Sequence, residues 1–375
     1  MRPDEWRTGK IIDFFELQRG FDITESQSKP GQIPVISSSG VAYYHNEAKV
    51  LGPGVVTGRK GSIGAVHYVK DDYWPHDTTL WVKDFKGNIP EYVKYFLEMM
   101  RLEQFDEASS IPTLNRNNVH GVKCHFPSVP EQSRILKILH CWEDSIDLTK
   151  HLIAAKQERR TWLMQQLLTG KRRLPGFGKP AHDDGIPEGW QTPKTATIFK
   201  NISKKNCPGE TVLSVTQDNG IVARDSLDRK INMSHENTHT YKLVEPGNFV
   251  ISLRSFQGGL EYSRYRGLVS PAYHVIGPKV KLCDDFFRFY FKSNEFIQRL
   301  AIATIGIRDG KQISFEDFAF MKIPVPPLGE QQKIATVIET ADRELDLLRA
   351  QLDALREQKK GLMQQLLTGK IREKV

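Results

Sequence analysis

Several short segments have the spacing of catalytic or cofactor sites. His235-Glu236-Asn237-Thr238-His239 matches H-E-x-x-H, the pattern in which a helix sets two histidines on one face to hold zinc and a glutamate acts as base. That chemistry needs a helix packed on a core and a third ligand. The surroundings here (Asn232, Ser234, Thr240) are polar and no third ligand suggests itself, so a polar surface segment is expected. Gly52-Pro53-Gly54 followed by Gly58 departs from G-x-G-x-x-G. Lys171 and Lys370 follow glycines, but Arg172 and Ile371 come next, so neither is a phosphate loop. No Asn- or Asp-Pro-Pro-Tyr/Phe tetrapeptide of an amino-methyltransferase occurs. Cys124, Cys141, Cys207 and Cys283 are widely spaced, which argues against a zinc ribbon or a disulfide framework and fits a reducing cytoplasm. The expectation is a chain with no catalytic residue, metal or cofactor of its own.

Charge points to a different kind of chemistry. The chain has 375 residues and a net charge of +8, and its pI is about 9.1. A basic balance favours a polyanionic partner, nucleic acid first. Hydrophobic residues at 39% suffice for two or three packed cores. No apolar run reaches the roughly 18 residues of a membrane span, and Met1 to Trp6 lacks the apolar stretch of a signal peptide. A soluble, cytoplasmic protein is expected.

The elements that must position any binding residues announce themselves by repetition. Met164-Gln165-Gln166-Leu167-Leu168-Thr169-Gly170-Lys171 recurs letter for letter at Met363 to Lys370, an offset of 199 residues. The same offset aligns Pro127 with Pro326, Glu131-Gln132 with Glu330-Gln331, Ile135 with Ile334, and Asp147 with Asp346. The chain is therefore a tandem duplication. Each repeated segment reads as a long helix, with prolines (Pro127, Pro130; Pro326, Pro327) before it and Gly170 or Gly369 after it. In the second copy Ala341, Leu345, Leu348, Leu352, Leu355, Leu362 and Leu366 form a heptad seam missed only at Lys359. In the first, Trp142, Ile146, Ile153, Leu163 and Leu167 hold it, with Thr149, Lys156 and Arg160 interrupting. Each helix has about 40 residues and spans roughly 60 Å. Such a stripe packs on a second helix, on its own domain or in a homodimer. The matched lengths favour an intramolecular pair, antiparallel if a pseudo-twofold axis relates the halves.

The intervening halves, 1–128 and 186–326, lack the helical period. Val55-Val56, Ala65 to Val69 and Leu80 to Val82 read as strands in the first; Thr211 to Val215, Asn248 to Ser252 and His274 to Ile276 do so in the second. Pro90 to Gln104 and Phe286 to Leu300 read as amphipathic helices. Pro53-Gly54-Val55-Val56 and Pro246-Gly247-Asn248-Phe249-Val250 are followed by comparable polar loops, Arg59-Lys60-Gly61-Ser62 and Arg254-Ser255-Phe256-Gln257-Gly258. The fold class is α+β: two α/β-type domains joined by two long antiparallel coiled-coil helices (129–170 and 327–375), with 171–185 as a basic Gly/Pro-rich linker read as solvated.

Pro-x-x-x-Glu-Gln opening a long helix (Pro127 to Gln132; Pro326 to Gln331) and Leu-Leu-Thr-Gly-Lys closing it resemble the specificity subunit of type I restriction–modification systems. Gly58 to Gly64, Trp74 to Leu80, Arg254 to Gly259 and Val269 to Tyr273 resemble phrases of its target-recognition domains. The resemblance covers essentially the whole chain. It implies sequence-specific recognition of a bipartite double-stranded DNA site, with one domain per half and the helix pair setting the spacer. It also implies two DNA adenine methyltransferase subunits docked on the helices and restriction/translocase subunits beyond them. S-adenosylmethionine, ATP and Mg would belong to those partners. The alternatives are a coiled-coil adaptor or scaffold without sequence-specific DNA binding, and a self-contained nuclease or methyltransferase.

Base edges are read by Arg or Lys at guanine, by Asn or Gln at adenine, and by Ser or Thr at either. The candidate readers in the first half are Ser37, Ser38, Ser39, Arg59, Lys60, Ser62, His76, Thr78, Asn115, Arg116 and Asn117. In the second they are Arg254, Ser255, Gln257, Arg264, Arg266, Ser270, Tyr273, Arg308, Lys311 and Gln312. Candidate helix-pair and docking residues are Glu131, Gln132, Ile146, Leu163, Leu167, Glu330, Gln331, Leu345, Leu352, Leu362 and Leu366.

Overall fold

The computed structural model describes residues 6–106, 112–180, 185–217, 220–224, 235–303 and 313–372. It divides into unit 1 (Met1–His151 with Ala350–Val375) and unit 2 (Leu152–Arg349). Both divisions fall inside a long helix, so each long helix is shared by the two units.

Unit 1 contains β1 (Arg7–Lys10), α1 (Ile11–Phe14), β2 (Glu16–Arg19), β3 (Ile33–Ser37), β4 (Gly40–His45), β5 (Gly54–Gly58), β6 (Val66–Val69), β7 (Trp74–Pro75), β8 (Thr79–Asp84), α2 (Pro90–Met99), α3 (Arg116–His120) and β9 (Lys123–Phe126). The first half of α4 (Val129–Leu167) follows. An antiparallel sheet has the order β2-β8-β5-β6, and smaller sheets pair β4-β3-β7 and β1-β9. Strand β5 is buried along its whole length, as expected of a central strand covered on both faces. Phe14 stacks on Phe126 with centroids 4.5 Å apart.

Unit 2 begins within α4. Its elements are α5 (Thr195–Ile198), β10 (Phe199–Ile202), β11 (Leu213–Thr216), β12 (Gly220–Ala223), β13 (Lys242–Val244), β14 (Phe249–Ile251), α6 (Ser255–Gly258), β15 (Glu261–Tyr262), β16 (Gly267–Val269), β17 (His274–Pro278), α7 (Asp284–Tyr290), α8 (Asn294–Ala303) and α9 (Phe315–Phe320). The first half of α10 (Leu328–Leu367) completes it. The main sheet has the order β10-β17-β14-β15, with β11-β12 and β13-β16 beside it. Position by position this is the order of unit 1, so β14 corresponds to β5 and β17 to β8.

The repeat explains itself in the cores. Ile135, Leu136 and Leu139 from the start of α4 enter the core of unit 1, together with Leu366 and Leu367 from the end of α10. Ile334, Ala335 and Ile338 enter that of unit 2, together with Leu167 and Leu168 from the end of α4. Each Leu-Leu-Thr-Gly thus anchors one helix end in the unit where the other helix begins. Both ends close alike: Gly170 and Gly369 have positive φ near +70°. The Arg172 and Ile371 amides bond back to the Gln166 and Gln365 carbonyls at 3.1 and 3.2 Å, a left-handed helix cap.

The helices pair antiparallel within each unit. In unit 2, Lys156 meets Glu344 and Arg160 meets Asp342. In unit 1, the Lys359 ammonium donates to Glu143 at 2.6 Å. Lys359 and Arg160 share one position of the repeat, as do Glu143 and Asp342. The gaps at Arg160 and Lys359 are therefore ion pairs at equivalent places, while Lys156 pairs with Glu344 where the other copy has Leu355. Ile146, Leu345, Leu352 and Leu366 are buried and Leu163 and Leu362 half-buried along the seam.

Four expectations need correction. The helix expected over Pro90 to Gln104 ends at Met99, and Arg101 just beyond it has a φ of +48°. Pro130 lies inside the first turn of α4 rather than before it, which its fixed φ permits. The helix expected over Phe286 to Leu300 is two helices, α7 and α8, because Ser293 interrupts it and accepts the Phe296 amide through its hydroxyl. Arg173 of the supposedly solvated linker is buried against Glu330.

Candidate nucleic-acid interface

In unit 1 three segments are tied together at the end of the main sheet. The Arg59 and Lys60 amides donate to the Thr78 carbonyl at 2.8 and 3.1 Å, and the Leu114 amide donates to the Arg59 carbonyl at 2.8 Å. The hairpin turn between β3 and β4 joins them. A Cβ on Gly58 would lie 2.0 Å from the Ser62 carbonyl oxygen and 3.2 Å from the Ser38 side chain, so only glycine allows this approach. The turn holds itself: the Ser37 hydroxyl donates to the Gly40 carbonyl at 3.0 Å, and the Ser38 carbonyl contacts His67 Nε2 at 3.3 Å.

The surface so formed exposes Ser39, Lys60, Ser62, Arg116 and Asn117. Other predicted readers serve the scaffold. His76 is engaged at both ring nitrogens, by the Thr78 hydroxyl and the Ile23 carbonyl, each at 3.0 Å, so His76 and Thr78 set the loop. Asn115 caps α3 by accepting the Asn117 amide at 3.0 Å. Arg59 is half-buried, its Nε donating to the Asp77 carbonyl at 3.0 Å. Burial and the neighbouring Arg19 push its pKa down, with Asp77 opposing.

Unit 2 repeats the arrangement with other side chains. After β14 the chain makes the single turn α6, not the open loop expected. Arg254 and Gln257 are exposed on it, whereas Ser255 is 1% exposed and its hydroxyl accepts the Ser252 amide at 2.8 Å. Ser255 is therefore a fold residue. Gln217, at the tip of the β11–β12 hairpin, donates its amide to the Arg254 carbonyl at 3.2 Å. It stands where Ser38 stands in unit 1. Sequence reasoning misses it, because only the first strand of this hairpin is legible; recognising the second would expose the tip between them.

Arg266 is exposed, but its guanidinium already meets Glu210 at 2.8 Å and also Glu245. The Glu210 hydrogen bond raises its pKa, and two carboxylates leave it little charge for a phosphate or base. The 270–273 loop folds on itself: the Ser270 hydroxyl accepts the Ala272 amide at 3.3 Å. Lys242, buried and also missed, donates to the Tyr273 carbonyl at 2.5 Å; burial lowers its pKa. Arg264 is exposed. Arg308, Lys311 and Gln312 lie outside the described residues.

The docking candidates divide. Glu131, Gln132, Glu330 and Gln331 are all buried, so they offer no surface to another subunit. The Gln132 carbonyl accepts the Ile89 amide at 2.9 Å, and its amide donates to Asn88 Oδ1 and the Pro127 carbonyl. Gln331 does the same with the Cys283 amide at 2.9 Å and the Pro326 carbonyl at 2.8 Å. Glu330 accepts Arg173 Nε and Nη2 at 2.5 and 2.8 Å and the Trp190 indole at 2.9 Å. Glu131 accepts Arg372 Nη2 at 2.9 Å. The Glu-Gln pair thus ties helix to domain and one helix start to the other helix end.

The His235–Thr240 segment is a 3-10 helix, whose three residues per turn do not return positions four apart to one face. Among the described residues no group of His, Cys, Asp or Glu has the arrangement of a metal site, and no helix is long and apolar enough to cross a membrane.

The profile described as "Type I restriction modification DNA specificity domain" matches residues 3–156 and 187–357. The type I restriction enzyme MjaVIII specificity subunit of Methanocaldococcus jannaschii is 25% identical, the match covering 99% of this chain and 94% of that protein. The HsdS subunit from Thermoanaerobacter tengcongensis superimposes with a TM-score of 0.57 at 16% identity, covering 98% of this chain and 97% of that one. A chain solved in work on complex assembly and conformational transition of the type I R-M system gives 0.63 at 16% identity, with 98% of each covered. These structural likenesses establish the fold, and the profile, matched twice across most of the sequence, establishes the lineage: the chain belongs to the type I restriction–modification DNA specificity family.

Proposed function

We propose that this chain reads a split DNA sequence for a type I complex, each unit reading one half, while methylation and cleavage reside on partner subunits. One observation carries the reading. Two sheets of identical strand order each present a hairpin tip against the loop after the same strand, and the exposed side chains there differ: Ser39, Lys60 and Ser62 in one, Gln217, Arg254 and Gln257 in the other. A duplicated scaffold with divergent polar tips suits two different base sequences. The long helices set the unread gap. They also offer one apolar knob in each repeat, Leu148 at 68% and Leu347 at 73% exposure, 199 residues apart, and these suit two copies of one partner. That partner is an adenine methyltransferase subunit carrying S-adenosylmethionine, with ATP and Mg on the restriction subunits.

The test is to co-express the chain with a methyltransferase subunit encoded beside it and map modified adenines. A single split motif is expected, and Leu148→Glu/Leu347→Glu should abolish co-purification and modification together. A folded, associated complex that modifies no defined motif would sink the reading.

A further inference from the structure

We propose that unit 2 holds a seat for the DNA sugar–phosphate backbone, distinct from its base-reading tip; the proposal rests on the function given above. A cleft of about 1230 Å³ adjoins a second of about 670 Å³, and Arg160, Arg264, Arg288 and Asp342 line both. The cleft starts at Gln217, whose amide holds the Arg254 carbonyl. Its lining continues past Arg264 to Arg160 on α4, and the adjoining cleft carries it on to Arg349 on α10. It is therefore a continuous path from the base-reading loop to the helix pair.

The charge along this path is unbalanced in a specific way. Its carboxylates, Glu261, Glu295, Glu339, Asp342 and Asp346, each pair with a cation of the same lining. They cancel one another and leave Lys171, Arg264, Lys322 and Arg343, all exposed. Among the described residues none of these four has a carboxylate partner. Surplus guanidinium and ammonium groups lining a concave path attract a polyanion. Because the path begins where bases are read, the polyanion is the strand leaving those bases toward the unread gap. Phosphate contacts there fix register and carry no sequence information. Arg264, expected from the sequence to read a base, is reassigned to the backbone.

The test uses the full chain in its methyltransferase complex and a labelled duplex carrying the mapped motif. Kd is measured between about 50 and 200 mM salt. Arg264→Gln/Arg343→Gln should flatten the log–log salt dependence by about 0.9 for each phosphate no longer neutralised, nearly 2 in all, while the modified motif keeps its bases. Lys29→Gln/Lys200→Gln removes the same charge from exposed positions outside both clefts and should leave the slope unchanged. Equal flattening in both variants, or in neither, overturns the seat. Loss of methyltransferase co-purification at an unchanged slope also overturns it, assigning the cleft to a protein instead. If the wild-type complex binds no defined motif, the underlying function fails and the seat with it.

Discussion

The same clasp is built twice, with different sealing. In unit 2 Glu330 is wholly buried and the Arg173 side chain is 3% exposed, with the Trp190 indole as a further donor. In unit 1 Glu131 is 5% exposed but Arg372 is 38% exposed. Trp6 lies in the corresponding place, beneath the Arg372 guanidinium, yet its buried indole nitrogen has no hydrogen-bond partner among the described residues. Arg173 and Arg372 are 199 residues apart, so these are copies of one device. The lesson is that an identical contact differs in worth by how much water reaches it.

Breaking the clasps should give the largest contrast. Glu330→Ala leaves a buried guanidinium unpaired and should cost about 3–5 kcal/mol. Glu131→Ala leaves an arginine that water already reaches and should cost about 1–2 kcal/mol. Chemical denaturation of the two variants checks this, and equal losses would refute the sealing argument. The glutamine staples should show no such contrast. Gln132→Leu and Gln331→Leu each strand one backbone amide, Ile89 or Cys283, at about 1–3 kcal/mol apiece. A twofold disparity between them in the same assay would mean that the two junctions are not equivalent.

The smallest effect sharpens the comparison along the helix pair. Burial raises the Glu143 carboxyl, but the hydrogen bond and positive charge of Lys359 outweigh it and hold the pKa below its ordinary 4.5. A depressed carboxylate contributes stability that is complete above the unfolded value and lost as pH falls through the folded one. The stability difference between wild type and Lys359→Met should therefore shrink between pH 7 and pH 3. A difference independent of pH would place the lysine's contribution in its packing on the Tyr95 ring instead.

Much of this architecture is legible because duplication turns sequence into geometry. Eight identical residues at a fixed offset locate both helix ends, and the heptad seam locates their shared face. What stays illegible are the contacts that only tertiary structure brings together. Periodicity places a polar Glu-Gln at a helix start in water, and nothing local reveals that Arg173 and Arg372 arrive from the other helix. Ser255 has the residue type of a base reader, but a single turn directs it inward. Arg266 looks free until Glu210, 56 positions away, is found beside it. At the interface the loops can be located and their free side chains cannot, because a hydroxyl or guanidinium spent on the scaffold reads the same in sequence as one offered to DNA.

The sharing of each long helix between units bears on how the protein is made. Unit 2 is one unbroken stretch, 152–349, whereas unit 1 needs two separate stretches of the chain. Its core takes in Leu366 and Leu367, made more than 200 residues after Leu139. At about 5–20 residues per second that is a wait of roughly 10–45 s on the ribosome. The segment translated first is therefore completed last. Truncation after Gln365 would leave unit 2 intact in composition and remove from unit 1 both of those leucines.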